Sequence, residues 1–207
     1  MTATTAPDRA LQRYYRFHAR IYDVTRWSFL FGRADLIERI ASRHAPANVL
    51  EIGCGTGSNL VRMAWRFPEA RLTGLDLSAD MLARARRRLT PYGDRITLLH
   101  QPYAGLPDHR PGFDLIVLSY CLSMINPGWE AVIANVRQDL AANGLIAVVD
   151  FHDSDQAAFR RWMGVNHVRM TGQLLPELQT HFRPLDATVQ RAYGGLWRYF
   201  RFIGVPS

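Results

Sequence analysis

Three glycines at alternate positions, followed about twenty residues later by an acid, form the motif that most directly suggests a ligand site in this sequence. The segment VLEIGCGTGSNL (residues 49–60) ends an apolar run in Glu51 and leads into a helical pattern. Its glycines let a backbone approach a ligand closely, and the following helix N-terminus adds partial positive charge. Asp76 ends the next apolar run, in GLDLS (residues 74–78), where an acid is suited to binding ribose hydroxyls. The three glycines are Gly53, Gly55 and Gly57.

Strand and helix patterns alternate around these motifs. This alternation predicts an α/β fold with a doubly wound, mostly parallel sheet and helices on both faces. Ser78 is a natural N-cap for the helix that follows the second strand. Strands are predicted at 48–52, 71–75, 95–99, 113–119 and 145–151, and helices at 33–43, 58–67, 78–89 and 128–140.

The last fifty residues have a different pattern. One or two helices are predicted between residues 155 and 182, followed by strands at 185–193 and 197–203. Gly194-Gly195 is a two-residue hairpin signal between those strands, and Asn143-Gly144 is predicted to turn the chain before the fifth strand. The whole pattern predicts seven strands, with an antiparallel hairpin at the C-terminus.

The first 33 residues are rich in aromatic and arginine residues. The segment RYYRFHARIYDVTRWSFLFGR (residues 13–33) predicts an amphipathic helix. Such a helix can dock on a core, close a pocket as a lid, or lie on a lipid surface, and the pattern leaves these alternatives open. One narrow stripe of this helix consists of Arg9, Arg13, Arg16 and Arg20.

Composition narrows the class of protein. The chain has 207 residues and a formal charge of +7, and all 25 basic residues are arginine. Genomic codon bias and a role in binding anions are both open explanations. No zinc-ligand spacing and no nucleic-acid-binding signature is present, so neither a metal nor a nucleic-acid partner is expected. Two cysteines, no signal-peptide core and no apolar run of roughly 18–20 residues predict a cytoplasmic protein without a membrane span.

Residues 46–152 resemble the class I S-adenosylmethionine-dependent methyltransferases. The resemblance is carried by E-x-G-C-G-T-G, G-L-D-L-S and F-D-L-I-V-L-S, and it implies a Rossmann-like methyltransferase sheet that binds S-adenosylmethionine. It places the glycines beside the methionine moiety, with Glu51 before them and Cys54 as a small residue lining the pocket. It also implies that Asp76 binds the ribose, that Leu77 flanks the adenine and that Met81 packs nearby.

The resemblance is weaker after the third strand. The family usually has an acid there that contacts the adenine amine, whereas this chain has Pro102, so the adenine contact is expected from Gln101 or Tyr103. Ser119 and Tyr120 lie at the end of the fourth strand. In the family, residues at this position line the sites of the sulfonium and the substrate.

Four segments resemble the bacterial betaine-lipid N-methyltransferases, which trimethylate a diacylglyceryl-homoserine headgroup. They are YYRFHARIYDVTRWSFLFGR (residues 14–33), LSYCLSMINPGW (118–129), VVDF (148–151) and GGLWRYFRFIG (194–204). Phospholipid N-methyltransferases are more distant relatives. This resemblance implies a lipid-headgroup substrate and an inner-leaflet location, with the N-terminal helix contacting an anionic membrane surface; the oligomeric state is left open.

The implied division is a lid or membrane element (1–45), a cofactor-binding core (46–152) and a C-terminal segment that completes the sheet and pocket (153–207). A methyltransferase for a small soluble metabolite and a non-catalytic interaction module are the alternatives.

Methyl transfer to an amine requires the neutral amine, so either the pocket or a base must remove a proton. His152, directly after the fifth strand, is the first candidate, followed by His167 and His18. Repeated methylation produces a fixed cation that aromatic faces can hold, for which Tyr14, Tyr15, Tyr120 and Trp197 are candidates.

Overall fold

The computed structural model describes residues 29–106 and 112–207. The strands are β1 (Asn48–Ile52), β2 (Arg71–Asp76), β3 (Ile96–His100), β4 (Phe113–Ser119), β5 (Leu140–Phe151), β6 (Phe182–Ala192) and β7 (Trp197–Pro206). The α-helices are α1 (Arg33–Ala41), α2 (Ser58–Arg66), α3 (Ala79–Leu89), α4 (Trp129–Asp139), α5 (Ala157–Val165) and α6 (Leu174–His181). Short 3-10 helices span Thr90–Arg95, Leu122–Met124 and Tyr193–Gly195.

The strands form one sheet in the order β3-β2-β1-β4-β5-β7-β6. Strands β1 to β5 pair in parallel, whereas β7 pairs antiparallel with both β5 and β6. The predicted seven-stranded, mostly parallel sheet with a C-terminal antiparallel hairpin is therefore confirmed. Ile52 lies opposite Leu75 in the β1–β2 pairing, so the glycine turn and Asp76 leave the sheet side by side.

Helices cover both faces of the sheet, which explains why the parallel strands are apolar at successive positions. Within β4, Leu115 and Val117 point into the core that contains α1, α2, α3 and the buried end of α5. Ile116 and Leu118 point into the other core, with α4 and α6. Ser78 is the N-cap of α3, as predicted, because its hydroxyl accepts a hydrogen bond from the Met81 N–H at 3.3 Å.

The structure corrects two predicted turns. Asn143-Gly144 does not separate a helix from β5, because β5 already begins at Leu140 and its register with β4 shifts by a bulge between Phe113 and Leu115. A Cβ atom at Gly144 would lie 2.5 Å from the Phe113 carbonyl oxygen, so glycine is needed for the close approach of the two strands. The hairpin also turns through more than two residues, since the last β6–β7 pair is Ala192 with Trp197.

The predicted N-terminal helix with its arginine stripe lies outside the described residues, as do Tyr14, Tyr15 and His18. The described chain begins at Phe29, whose ring stacks on Trp197 with centroids 5.2 Å apart.

Candidate active site

The glycine turn between β1 and α2 has a backbone that only glycine adopts readily. Gly53, Gly55 and Gly57 have φ values of 71°, 53° and 76°, in the left-handed region. The N–H groups of Gly53 and Cys54 donate to the Leu75 carbonyl at 2.8 and 3.0 Å, which fixes the turn against the end of β2. A Cβ atom at Gly55 would meet nothing within 4 Å, so the turn faces open space there.

Asp76 holds the turn and the start of α3 together. One carboxylate oxygen accepts the Gly55 N–H and the other accepts the Ser78 N–H, both at 2.8 Å. A carboxylate offers about four lone-pair positions, so capacity remains for further donors such as ribose hydroxyls.

Glu51 is a buried acid at the end of β1. One of its oxygens accepts from the Asn59 side-chain amide at 2.7 Å, and the other has no hydrogen-bond partner among the described residues. Burial raises the pKa of the carboxyl to about 8, although the Asn59 hydrogen bond and the Arg33 charge oppose this shift. An unsatisfied buried acceptor directly before the turn suits a ligand that brings a donor or a positive charge.

The turn opens into a cleft of about 1080 Å³. We define its glycine-turn end by Gly53, Gly55, Asp76, Leu77 and Met81, and its arginine end by Arg160, Arg161, His167, Arg169 and Thr171. Tyr120, Cys121, Met124, Ile125 and Asn126 also line the cleft.

The predicted adenine-side residues differ in their placement. Leu77 lines the cleft and is 61% exposed, while Met81 lines it from a buried position. Pro102 and Tyr103 also line the cleft, and the Tyr103 hydroxyl donates to Asp139 at 2.7 Å. Gln101 is exposed and is not among the lining residues.

Tyr120 lies in the cleft wall with its hydroxyl already engaged. The residue is buried, has a φ of 54°, and donates from its hydroxyl to the Phe31 carbonyl at 2.8 Å. Its ring packs edge-on against Phe151, with centroids 4.7 Å apart. Burial and the nearby Asp150 charge raise the pKa of the phenol well above its usual value, so the phenol stays protonated near neutral pH.

His152 is not brought to the cleft. The residue is absent from the cleft lining, and its ring lies edge-on to Phe200 with one nitrogen 3.9 Å from an Asp153 oxygen. Burial lowers the pKa of this imidazole. Of the histidines described, His167 is the one that lines the cleft.

Several other predicted residues lie behind the lining rather than in it: Glu51, Cys54, Gly57 and Ser119. Cys54 is buried, and its sulfur would lie 3.0 Å from a Cβ atom at Gly74, so the thiol packs under the turn. Burial raises the pKa of this thiol, which argues against a nucleophilic role.

Sequence reasoning singled out His167 but missed the rest of the lining contributed by α5 and by the segment 166–173 that links α5 to α6. These residues carry no motif. The available signal was a charge pattern, because residues 156–173 contain three arginines and no acid.

Within residues 29–106 and 112–207, no cluster of three or more His, Cys, Asp or Glu side chains is arranged to hold a metal ion. No helix in those ranges has the length and apolar character needed to cross a membrane.

Comparison with known proteins agrees with this geometry. Residues 49–144 match the family model described as a methyltransferase domain. The trans-aconitate 2-methyltransferase of Methylobacterium nodulans is 34% identical over 115 residues, which cover 56% of this chain and 42% of that protein. The chain thus spans less than half the length of the first curated relatives that it matches.

Solved structures are similar over more of the chain. The N-methyltransferase NodS from Bradyrhizobium japonicum, in complex with S-adenosylhomocysteine, has a TM-score of 0.69 at 23% identity and covers 84% of this chain and 85% of its own. The Burkholderia thailandensis 1,6-didemethyltoxoflavin-N1-methyltransferase has a TM-score of 0.73 at 17% identity, covering 100% and 93%.

Residues 49–144 thus resemble a methyltransferase domain, and the described chain has the Rossmann-like fold of the S-adenosylmethionine-dependent methyltransferases. The described helices and hairpin after residue 144 complete the sheet and the cleft.

Proposed function

We propose that this chain transfers a methyl group from S-adenosylmethionine to a small soluble acceptor. The observation that carries the proposal is one continuous cleft that begins at the glycine turn and Asp76 and extends to α5 and residues 167–171. Curated relatives named for methylation of trans-aconitate and of malonyl-[acyl-carrier protein] support an acceptor that is not embedded in a bilayer.

The residues of the glycine-turn end suit the cofactor. Asp76 has acceptor capacity for ribose hydroxyls, and Glu51 lies behind the turn with one oxygen that no described residue satisfies. Leu77 and Met81 offer apolar contact to a base. When bound, the cofactor supplies an electrophilic methyl group on its sulfonium.

The protein's contribution to the reaction is positioning and exclusion of water. Tyr120 is fixed by its Phe31 hydrogen bond and its Phe151 contact, so it contributes a rigid part of the cleft wall. Holding an acceptor atom in line with the methyl group supplies a large share of the rate in such displacements. An acceptor that is already anionic near pH 7 needs no base, whereas an amine would have to lose a proton, for which His167 is the histidine in the cleft.

A lipid amine is the second candidate acceptor, as the betaine-lipid and phospholipid resemblance implies. The observation in its favour is a group of exposed apolar side chains beside the cleft: Trp162 and Val165 on α5, and Tyr193 and Leu196 at the hairpin. Trp162 and Tyr193 both pack against Phe29, with ring centroids 6.2 and 6.3 Å away, so the group is one patch. Aromatic residues near arginines are typical of surfaces that contact membranes.

One assay distinguishes the two acceptors. The purified chain is incubated with methyl-labelled S-adenosylmethionine and either soluble di- and tricarboxylic acids or vesicles of phosphatidylethanolamine and phosphatidylglycerol. Label in a soluble acid supports the first proposal, and label confined to the lipid extract supports the second. Failure of S-adenosylhomocysteine to bind the folded chain in a calorimetric titration would contradict both.

A further inference from the structure

The arginine end of the cleft is unusually one-sided in charge. Arg160 and Arg161 on α5 and Arg169 in the following segment all line it. Among the lining residues that the structure describes, Asp76 is the one acid, and it belongs to the glycine-turn end, where both oxygens accept backbone N–H groups. No carboxylate of the described chain therefore neutralises the arginine end from within the cleft.

Two of these arginines also differ from Arg160 beside them and from the ion-paired arginines Arg198 and Arg201. Arg198 pairs with Asp153, and the buried Arg201 pairs with Asp35 and Asp186. Arg160 donates to the Ser154 carbonyl. By contrast, the guanidinium groups of Arg161 and Arg169 have no hydrogen-bond or ion-pair partner in residues 29–106 and 112–207.

The backbone that carries these two arginines is anchored. Arg169 lies between the buried residues Val168 and Met170, and its own N–H donates to the Ser123 carbonyl at 2.9 Å. Arg161 is followed two residues later by the buried Met163, which packs α5 onto the core. Binding an anion here would thus order two side chains but no loop, which keeps the entropic cost small.

We propose that Arg161 and Arg169 form a subsite for an anionic oxygen group, a carboxylate or a phosphate, on the methyl acceptor. The proposal rests on the proposed function and specifies the class of its substrate. Arginine forks match both groups in geometry and charge, and a cleft lined by one sign of charge concentrates ligands of the other. A free acid and a lipid headgroup phosphate share this chemistry.

The test compares two double variants of equal charge. R161Q/R169Q removes the subsite, and R87Q/R183Q removes two exposed arginines, on α3 and β6, that do not line the cleft. Citrate, glycerol 3-phosphate and vesicles of phosphatidylcholine with phosphatidylglycerol are the probes, titrated with and without S-adenosylhomocysteine. The parent should bind at least one of these probes. The affinity for that probe should be roughly tenfold or more weaker in R161Q/R169Q and within twofold of the parent's in R87Q/R183Q.

Each outcome has one meaning. A selective loss for citrate or glycerol 3-phosphate assigns the subsite to a soluble acid, and a selective loss for vesicles assigns it to a lipid phosphate. Equal weakening in both double variants, or no binding of any probe by the parent, overturns the subsite. If the parent does not bind S-adenosylhomocysteine, the proposed function is overturned instead. The titrations without S-adenosylhomocysteine still test the anion subsite in that case.

Discussion

The two ends of the cleft are built in different ways. The glycine-turn end comes from residues 51–81, and its decisive features are the backbone φ values of one turn and one carboxylate that holds that turn. The arginine end comes from side chains on α5 and on the segment 166–173, which β5 and its neighbours bring to the same cleft. A site made of backbone is specified locally and tolerates few substitutions, whereas a site made of exposed side chains can change its ligand without changing the fold.

The largest expected effect is at Gly55. Gly55→Val places a branched side chain in the space that faces the cleft, so binding of S-adenosylhomocysteine should fall roughly 100-fold or more, with a loss of stability of about 1–3 kcal/mol from the left-handed φ. Calorimetric titration and thermal unfolding measure the two effects.

Gly194→Val is the matched control, because Gly194 has a φ of 66° and equally open space but lies in the hairpin. This variant should lose similar stability and keep full cofactor affinity. Similar affinities for both variants would mean that the cofactor does not use the turn.

Asp76 should have the next largest effect. Asp76→Ala removes the acceptor for two backbone N–H groups and for the ribose, so cofactor binding should weaken by roughly 1–3 kcal/mol. Asp114→Ala is the control, since Asp114 likewise accepts two backbone N–H groups, from Ala47 and Asn48 at 2.9 and 2.8 Å, at the other end of β1. Both variants should lose stability, but only the first should lose affinity for S-adenosylhomocysteine.

Two buried acids, Glu51 on β1 and Asp150 on β5, give the stability of the chain two different dependences on pH. Burial raises the pKa of Glu51 from 4.5 to about 8, and that of Asp150 from 3.8 to about 6. A raised pKa means that the folded state binds the proton more tightly than the unfolded state, so the stability it contributes is present at low pH and is lost as pH rises through the folded pKa.

The unliganded parent should accordingly lose about 2–4 kcal/mol of stability between pH 4.5 and 8 on account of Glu51. Glu51→Gln should flatten the fall between pH 6 and 8, whereas Asp150→Asn should flatten only the part below about pH 6. Urea denaturation at a series of pH values measures this. A parent curve that is flat from pH 6 to 8 would mean that Glu51 is ionised in the folded chain.

The smallest expected effect concerns the exposed patch. Trp162 lies beside the arginine end and is 52% exposed, while Trp65 on α2 is 71% exposed and does not line the cleft. If the acceptor is a lipid, Trp162→Ala should lower co-sedimentation with phosphatidylglycerol vesicles a few-fold and Trp65→Ala should not. Equal sedimentation of both variants would remove the patch as an argument for the lipid acceptor.

The sequence alone determined much of this protein. The β1 and β4 boundaries, the Ser78 cap and the mixed sheet follow from apolar runs, turn residues and caps, which act over a few residues. The glycine turn and Asp76 were likewise visible, because the conformation they require is local and glycine is the residue that adopts it readily.

Only the tertiary structure decided the rest. His152 follows β5 in sequence, as a base at a strand end should, yet packing turns its ring toward Phe200 and away from the cleft. The pair Asn143-Gly144 is typical of a turn in the sequence, but the close approach of β4 makes Gly144 part of a bulge in β5. Arg161 and Arg169 carry no motif, because an exposed arginine on a helix or a loop looks the same in sequence whether it faces bulk water or a cleft. The direction of a side chain depends on which elements pack together, and that information is spread over the whole chain.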